Sequence, residues 1–231
     1  RQTSNNFAIF THNIFSITDR LKFTVGARYT MERKRLNATL TDNNIICNGF
    51  STINPLNTLA PLSTLPCVNP GILGPTSGVA GGGFLNLKGK HNENKLSGTA
   101  VLSFKPTDQL LTYISYSRGY KAGGLNPPID PSFNISPTFT PETINAYELG
   151  SKNTFLDGLL RLNLSSFYYD YKGLQLSRIV GRTSVNDNTD AQIYGVELEG
   201  FLRPVDDLQL NFSASYLKSK IKGLSLVDPR D

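Results

Sequence analysis

The residue types most able to do acid–base or metal chemistry are few and widely spaced in this sequence. Glu197 and Glu199 lie two positions apart, so a β-strand would place both carboxylates on one face. Such a pair could transfer protons, but the only histidines in the whole chain are His12 and His91. The motifs Gly-x-Ser-x-Gly and His-Glu-x-x-His are absent. We therefore expect no enzyme, no bound metal and no cofactor, and we interpret both glutamates as residues that face a wet interior.

The two cysteines offer a different kind of chemistry. Cys47 and Cys67 are the only cysteines, and both fall in one long polar segment, residues 42–94. If that segment lies outside the cell, the cysteines mature through an oxidising compartment in which disulfides persist. We predict a Cys47–Cys67 disulfide, which would close a loop of about 20 residues and contribute roughly 3 kcal/mol by constraining the unfolded chain. Two free thiols are the alternative.

The net charge of +5 does not indicate a nucleic-acid partner, because the basic residues are scattered rather than grouped with aromatic ones. A basic rim facing anionic lipid head groups explains them more simply. The densest run, Glu32-Arg33-Lys34-Arg35, is interpreted here as a solvated strand end.

Alternating hydrophobicity is the main structural signal. In Leu160-Arg161-Leu162-Asn163-Leu164, as in Leu208-Gln209-Leu210-Asn211-Phe212, every second residue is apolar. This pattern predicts β-strands with different surroundings on their two faces. No run approaches the roughly 18 apolar residues of a membrane-spanning helix, whereas a lipid-embedded β-barrel needs only alternating segments of about ten. We predict that Leu162, Leu164, Leu198, Leu210 and Phe212 face lipid. We predict that the lumen-facing residues are Arg28, Glu148, Lys152, Arg161, Glu197 and Glu199.

Turn signals divide the chain into antiparallel hairpins. Asp108, Asp157 and Asp206 occupy short turns spaced evenly, 49 residues apart. The connections between hairpins are long and polar: residues 42–94, 121–141 and 173–188. Aromatic residues cluster by the short turns (Phe15, Phe23, Phe104, Phe155, Phe201) and toward the long connections (Tyr29, Tyr120, Tyr168, Tyr216). Short turns at one end, long loops at the other and two aromatic girdles are typical of an outer-membrane barrel.

Four short segments carry a family resemblance. The segment Ser117-Arg118-Gly119-Tyr120-Lys121-Ala122-Gly123-Gly124-Leu125-Asn126 is similar to the SRGYKAGGFN of TonB-dependent outer-membrane receptors, with Leu125 in place of Phe. Three more follow in the family's order: PETINAYELG at 141–150, RLN with FYYDY within 161–171, and IYGVELE at 193–199. The resemblance spans nearly the whole chain and is weakest in residues 42–94. The resemblance implies that seven motif residues lie near an outer loop: Arg118, Gly119, Tyr120, Lys121, Gly123, Gly124 and Asn126.

The resemblance implies a receptor in the Gram-negative outer membrane that imports a scarce ligand, often a ferric siderophore. Its partners would be that ligand, TonB through a plug segment, and outer-membrane lipid and lipopolysaccharide. No plug is recognised in residues 1–231, so we expect about eight strands from the middle of a 22-stranded barrel. A passive porin or small closed barrel is one alternative, and a soluble carbohydrate-binding β-domain is another.

Overall fold

The computed structural model of the chain describes residues 1–41, 84–127, 135–180 and 183–223. Eight long strands dominate it. They are β1 (Gln2–Ser16), β2 (Leu21–Thr41), β3 (Phe84–Thr107), β4 (Leu110–Lys121), β7 (Glu142–Phe155), β8 (Leu160–Val180), β9 (Thr183–Val205) and β10 (Leu208–Lys222). Two short strands, β5 (Gly124–Leu125) and β6 (Thr138–Phe139), lie between β4 and β7.

The long strands form one antiparallel sheet in the order β1-β2-β3-β4-β7-β8-β9-β10, while β5 and β6 pair separately. Successive long strands are therefore neighbours in the sheet, and the predicted all-β meander of hairpins is confirmed. Within the described residues, no helix is both long and apolar enough to cross a membrane.

The four short turns follow their sequence signals. They join β1 to β2, β3 to β4, β7 to β8 and β9 to β10, and all lie at one end of the sheet. The β7–β8 turn, Leu156–Gly158, has a left-handed backbone, with a positive φ at both Leu156 (52°) and Asp157 (53°). This left-handed backbone matches the twist of the flanking strands, and Asp tolerates it better than most residues.

Strand register divides the side chains between two faces. Cross-strand neighbours share a face, and Leu164 pairs with Leu198 while Ser165 pairs with Glu197. Continued across the sheet, the ladder puts the five predicted lipid-facing residues on one face, here called the apolar face. The six predicted lumen-facing residues all lie on the opposite face, here called the polar face.

Burial in this sheet is the reverse of that in a water-soluble domain. Only three apolar residues among those described are buried, Phe167, Val185 and Ala191. In contrast, Leu96, Ile114 and Leu149 on the apolar face are each more than half exposed. Water penalises such a continuous apolar surface, and lipid does not.

Two aromatic bands border the apolar face. Toward the long connections, Tyr116, Tyr147, Tyr168 and Tyr194 pair successively across four strands, and the first two rings are 5.2 Å apart. Toward the short turns, Phe15 and Phe23 are 6.5 Å apart. One assignment was wrong: Phe201 lies on the polar face, where the Arg161 guanidinium carbon is 4.3 Å from its ring centroid. Its neighbours Gly200 and Leu202 occupy the apolar face instead.

The predicted loop boundaries need correction at two places. Residues 84–94, assigned to the first insertion, belong to β3 and pair with β2 out to Phe84↔Thr41. Most of residues 173–188, assigned to the third insertion, extend β8 and β9, whose pairing reaches Val180↔Thr183. The polar composition of both segments suggested loops. Strand pairing, however, satisfies the backbone N–H and C=O groups whatever the side chains are. Residues 42–83, including Cys47 and Cys67, lie outside the described residues.

Candidate functional site

The polar face carries interacting charged and aromatic side chains. The hydroxyl of Tyr113 donates to Glu148 Oε1 at 2.5 Å. Nearer the short turns, a recess of about 490 Å³ is lined by Arg161, Asn163, Glu199, Phe201 and others. These groups supply fixed charges and hydrogen-bonding atoms, and among the described residues no group of three His, Cys, Asp or Glu side chains could hold a metal ion.

The described parts of the connection between β4 and β7 fold onto the polar face of the sheet. Its described parts, residues 122–127 and 135–141, are here called the inner segment. They hold β5 and β6, which pair as Gly124↔Phe139 and Leu125↔Thr138. Gly123, Gly124 and Asn126 are buried there. Residues from β2, β3, β8 and β9 fix the segment in place.

On one side, β2 and β3 hold the backbone of Gly123. Lys34 Nζ donates to the Gly123 carbonyl at 2.8 Å, and the Gly123 N–H donates to Glu93 Oε2 at 2.9 Å. His91 Nε2 is 3.4 Å from that same carboxylate oxygen. A Cβ added to Gly123 would come within 2.4 Å of the Phe139 carbonyl oxygen and 3.0 Å of His91 Nε2. Only glycine therefore permits this approach.

On the other side, Asn126 binds the backbone of β9. Its Nδ2 donates to the carbonyl of Asn186 at 2.9 Å, and its Oδ1 accepts the Asn186 N–H at 2.8 Å. The same Nδ2 also donates to the carbonyl of Ser136 at 2.9 Å, within the inner segment. Asn126 is only 5% exposed, so it uses both amide donors and its acceptor without help from bulk water.

Polar side chains of the β8–β9 extension complete the attachment. Asn188 accepts the Thr140 N–H at 2.7 Å and donates to the Thr140 carbonyl at 2.9 Å. Gln175 Nε2 donates to the Ala122 carbonyl at 2.9 Å. Beside them the bulge at Gly173, with φ 65°, is fixed by Asp190, whose pKa is lowered by hydrogen bonds from Lys172 and from the Gly173 N–H. This region is beyond the tyrosine band, outside the membrane-spanning part of the strands.

The seven predicted motif residues divide into two groups. Arg118, Gly119, Tyr120 and Lys121 end β4, with Arg118 exposed on the apolar face beside Asn145. Gly123, Gly124 and Asn126 lie in the inner segment. Sequence reasoning missed their partners Lys34, Glu93 and Asn186, because no local pattern links residues 30 to 89 positions apart.

The sequence of these strands matches a known protein family. The family described as "TonB dependent receptor-like, beta-barrel" matches residues 1–230. The chain belongs to the TonB-dependent receptor family. The resemblance inferred from the four motifs is thereby confirmed, as is placement in the Gram-negative outer membrane. This family consists of receptors and transporters.

Solved structures of TonB-dependent receptors share this fold at low sequence identity. The ferric yersiniabactin uptake receptor FyuA from Yersinia pestis gives a TM-score of 0.67 at 20% identity, covering 95% of this chain and 27% of that one. The ferric-catecholate import receptor Fiu from E. coli K12 in its closed form gives 0.66 at 18% identity, covering 96% and 29%. The copper transporter OprC gives 0.64 at 13% identity, covering 95% and 29%. The chain thus spans less than a third of the length of these receptors.

Proposed function

We propose that this chain forms part of the barrel of a TonB-dependent transporter that takes up a scarce ligand, most simply a ferric siderophore. The observation that carries the proposal is the family match over residues 1–230. FyuA and Fiu, which share the fold, are receptors for iron-bearing ligands by their descriptions. OprC has a similar fold and is described as a copper transporter, so the ligand must be tested directly.

The open sheet supports a role within a larger barrel. In the described residues β1 and β10 each pair on one side only, and both are exposed along nearly their whole length. In lipid, each unpaired backbone group costs several kcal/mol, so both edges need strand partners. We propose that other strands of the same receptor supply them. The polar face then lines the lumen, where Glu148, Lys152 and Arg161 face the plug on which TonB acts.

The inner segment suits a ligand-binding role by its position. It lies on the lumen side, at the end of the strands opposite the short turns, and at least four strands hold it. Because its backbone is already fixed in place, a ligand that touches it would lose little free energy to ordering of the chain. In this arrangement outer-membrane lipid and lipopolysaccharide surround the apolar face.

Uptake by living cells tests this proposal. Cells lacking the receptor gene, with and without the full-length protein restored, would be given radiolabelled ferric siderophores or copper under metal limitation. We expect accumulation of an iron complex that needs both the receptor and TonB. Receptor-dependent entry that persists without TonB would instead support the porin alternative. Copper uptake without iron uptake would replace the proposed ligand, and extraction of the protein without detergent would support a soluble domain.

A further inference from the structure

Where β2 and β3 continue past the tyrosine band, four basic side chains lie on one face of the sheet and the acidic side chains on the other. Exposed residues alternate with half-buried or buried ones along both strands. Arg33 and Arg35 on β2, and Lys88 and Lys90 on β3, are exposed on the continuation of the apolar face. We call these four residues the basic patch. The carboxylates of the same segments, Glu32 and Glu93, point to the polar face.

The patch contains like charges that this part of the protein does not neutralise. Arg35 lies directly opposite Lys90, and like charges in such a pair are destabilising. None of the ion pairs found among the described residues includes a member of the patch. The nearby carboxylates are already engaged, since Glu32 lies 3.2 Å from Lys34 and Glu93 accepts the Gly123 N–H. An anion from outside these strands would relieve the repulsion among the four basic residues.

Its height on the sheet indicates where that anion comes from. The same face carries Tyr29 and Met31 on β2, Leu96 on β3 and Phe7 on the neighbouring β1, all exposed and apolar or aromatic. At about 3.3 Å per residue, Arg33 lies about 7 Å and Arg35 about 13 Å beyond Met31 along the strand. That is the level of lipid head groups when the apolar residues sit in the hydrocarbon layer. Arginine pairs with phosphate through two parallel N–H donors, and lysine contributes a compact positive charge.

We propose that Arg33, Arg35, Lys88 and Lys90 form a binding site for the phosphate groups of lipopolysaccharide in the outer leaflet. This inference rests on the proposed function, because it takes the end with the long connections as the cell exterior. The site replaces the interpretation of Glu32-Arg33-Lys34-Arg35 as a plain solvated strand end. Lys34, which pairs with Glu32, holds the inner segment, whereas Arg33 and Arg35 bind lipid phosphate.

Lipid retained by the purified full-length receptor tests the site. The variant combines Arg33→Ser, Arg35→Ser, Lys88→Ser and Lys90→Ser. The control combines Arg20→Ser, Lys105→Ser and Arg203→Ser, which remove positive charge near the short turns. Native mass spectrometry would count lipopolysaccharide per barrel, and heat-modifiable gel mobility would verify folding. We expect the variant to retain severalfold less lipopolysaccharide than wild type, and the control to retain the wild-type amount.

Rebinding separates phosphate recognition from general attraction. Delipidated wild-type receptor would be mixed with intact lipopolysaccharide, with its dephosphorylated form, and with phosphatidylglycerol vesicles. We expect severalfold weaker binding to the dephosphorylated form, and weak binding to phosphatidylglycerol. Equal binding of all three, or equal retention by a folded variant and wild type, would overturn the site. None of these assays measures uptake, so a failed site and a failed transport function give different results.

Discussion

The side chain of Asn126 pairs with both backbone groups of Asn186, as a neighbouring β-strand would. It donates to one backbone group of Asn186 and accepts from the other, at 2.9 and 2.8 Å, although the two residues are 60 positions apart. Through this pair the connection between β4 and β7 is attached to β9, while Lys34 and Glu93 attach it to β2 and β3. The inner segment is thus firmly attached to the polar face of the sheet.

Asn126→Asp should release this attachment. A carboxylate cannot donate to the carbonyls of Asn186 and Ser136, and a carboxylate at a position only 5% exposed is itself poorly solvated. We expect faster hydrogen exchange in residues 122–127 and 135–141 of the full-length receptor, with unchanged exchange in β8. Asn92→Asp makes the same chemical change at an exposed position level with Arg33, beyond the apolar residues, and should leave exchange unaltered. Equal protection in both variants would show that Asn126 does not hold the segment.

Gly123→Ala should displace the inner segment by a steric route. The new methyl group would meet the Phe139 carbonyl oxygen at 2.4 Å, and backbone cannot move aside cheaply. At Gly119, in the same motif, the closest atom is a methyl carbon of Ile144 at 3.1 Å, which can shift. We expect Gly123→Ala to weaken ligand binding much more than Gly119→Ala, measured by titration of the folded receptor. Similar affinities for the two variants would contradict a close approach at Gly123.

Leu164→Arg should impair insertion into bilayers, whereas Ser165→Arg should not. Leu164 is on the apolar face, midway between the start of β8 and the Tyr168 band, where an arginine costs about 2–4 kcal/mol. Ser165 lies opposite Glu197 on the polar face, so an arginine there gains a charged neighbour. Leu210→Arg, three residues from the short turn, should have a smaller effect. Folding yield in liposomes measures all three, and equal yields for Leu164→Arg and Ser165→Arg would contradict the assigned faces.

The Cys47–Cys67 disulfide remains a prediction that mass spectrometry of the unreduced receptor can test. We expect a cross-linked peptide pair and no alkylation before reduction. If both thiols react with the alkylating reagent without reduction, the bond is absent. If the bond is present but its removal leaves ligand affinity unchanged, it acts only as a structural staple.

The sequence predicted those features that local chemistry determines. Alternation assigned the faces of Leu164 and Glu197, and turn residues located the hairpins at Asp108, Asp157 and Asp206. The inner segment could not be predicted, because it depends on contacts such as that of Lys34 with Gly123, 89 positions away. The β8–β9 extension was missed because residues 183–189 are polar apart from Val185 and so show no apolar alternation. Phe201 was misplaced because proximity to a turn does not decide on which face a side chain lies.

The orientation of the sheet in the membrane decides which residues face the lumen, which face lipid and which can meet a ligand from outside the cell. Full-length receptor carrying Cys47→Ser and Cys67→Ser would receive one new cysteine, at Asn92 in β3 or at Asp157 in the β7–β8 turn. An impermeant thiol reagent would then be applied to intact and permeabilised cells. We expect Asn92→Cys to be labelled in intact cells and Asp157→Cys only after permeabilisation. Equal labelling of the two in intact cells, or the reverse order, would contradict it.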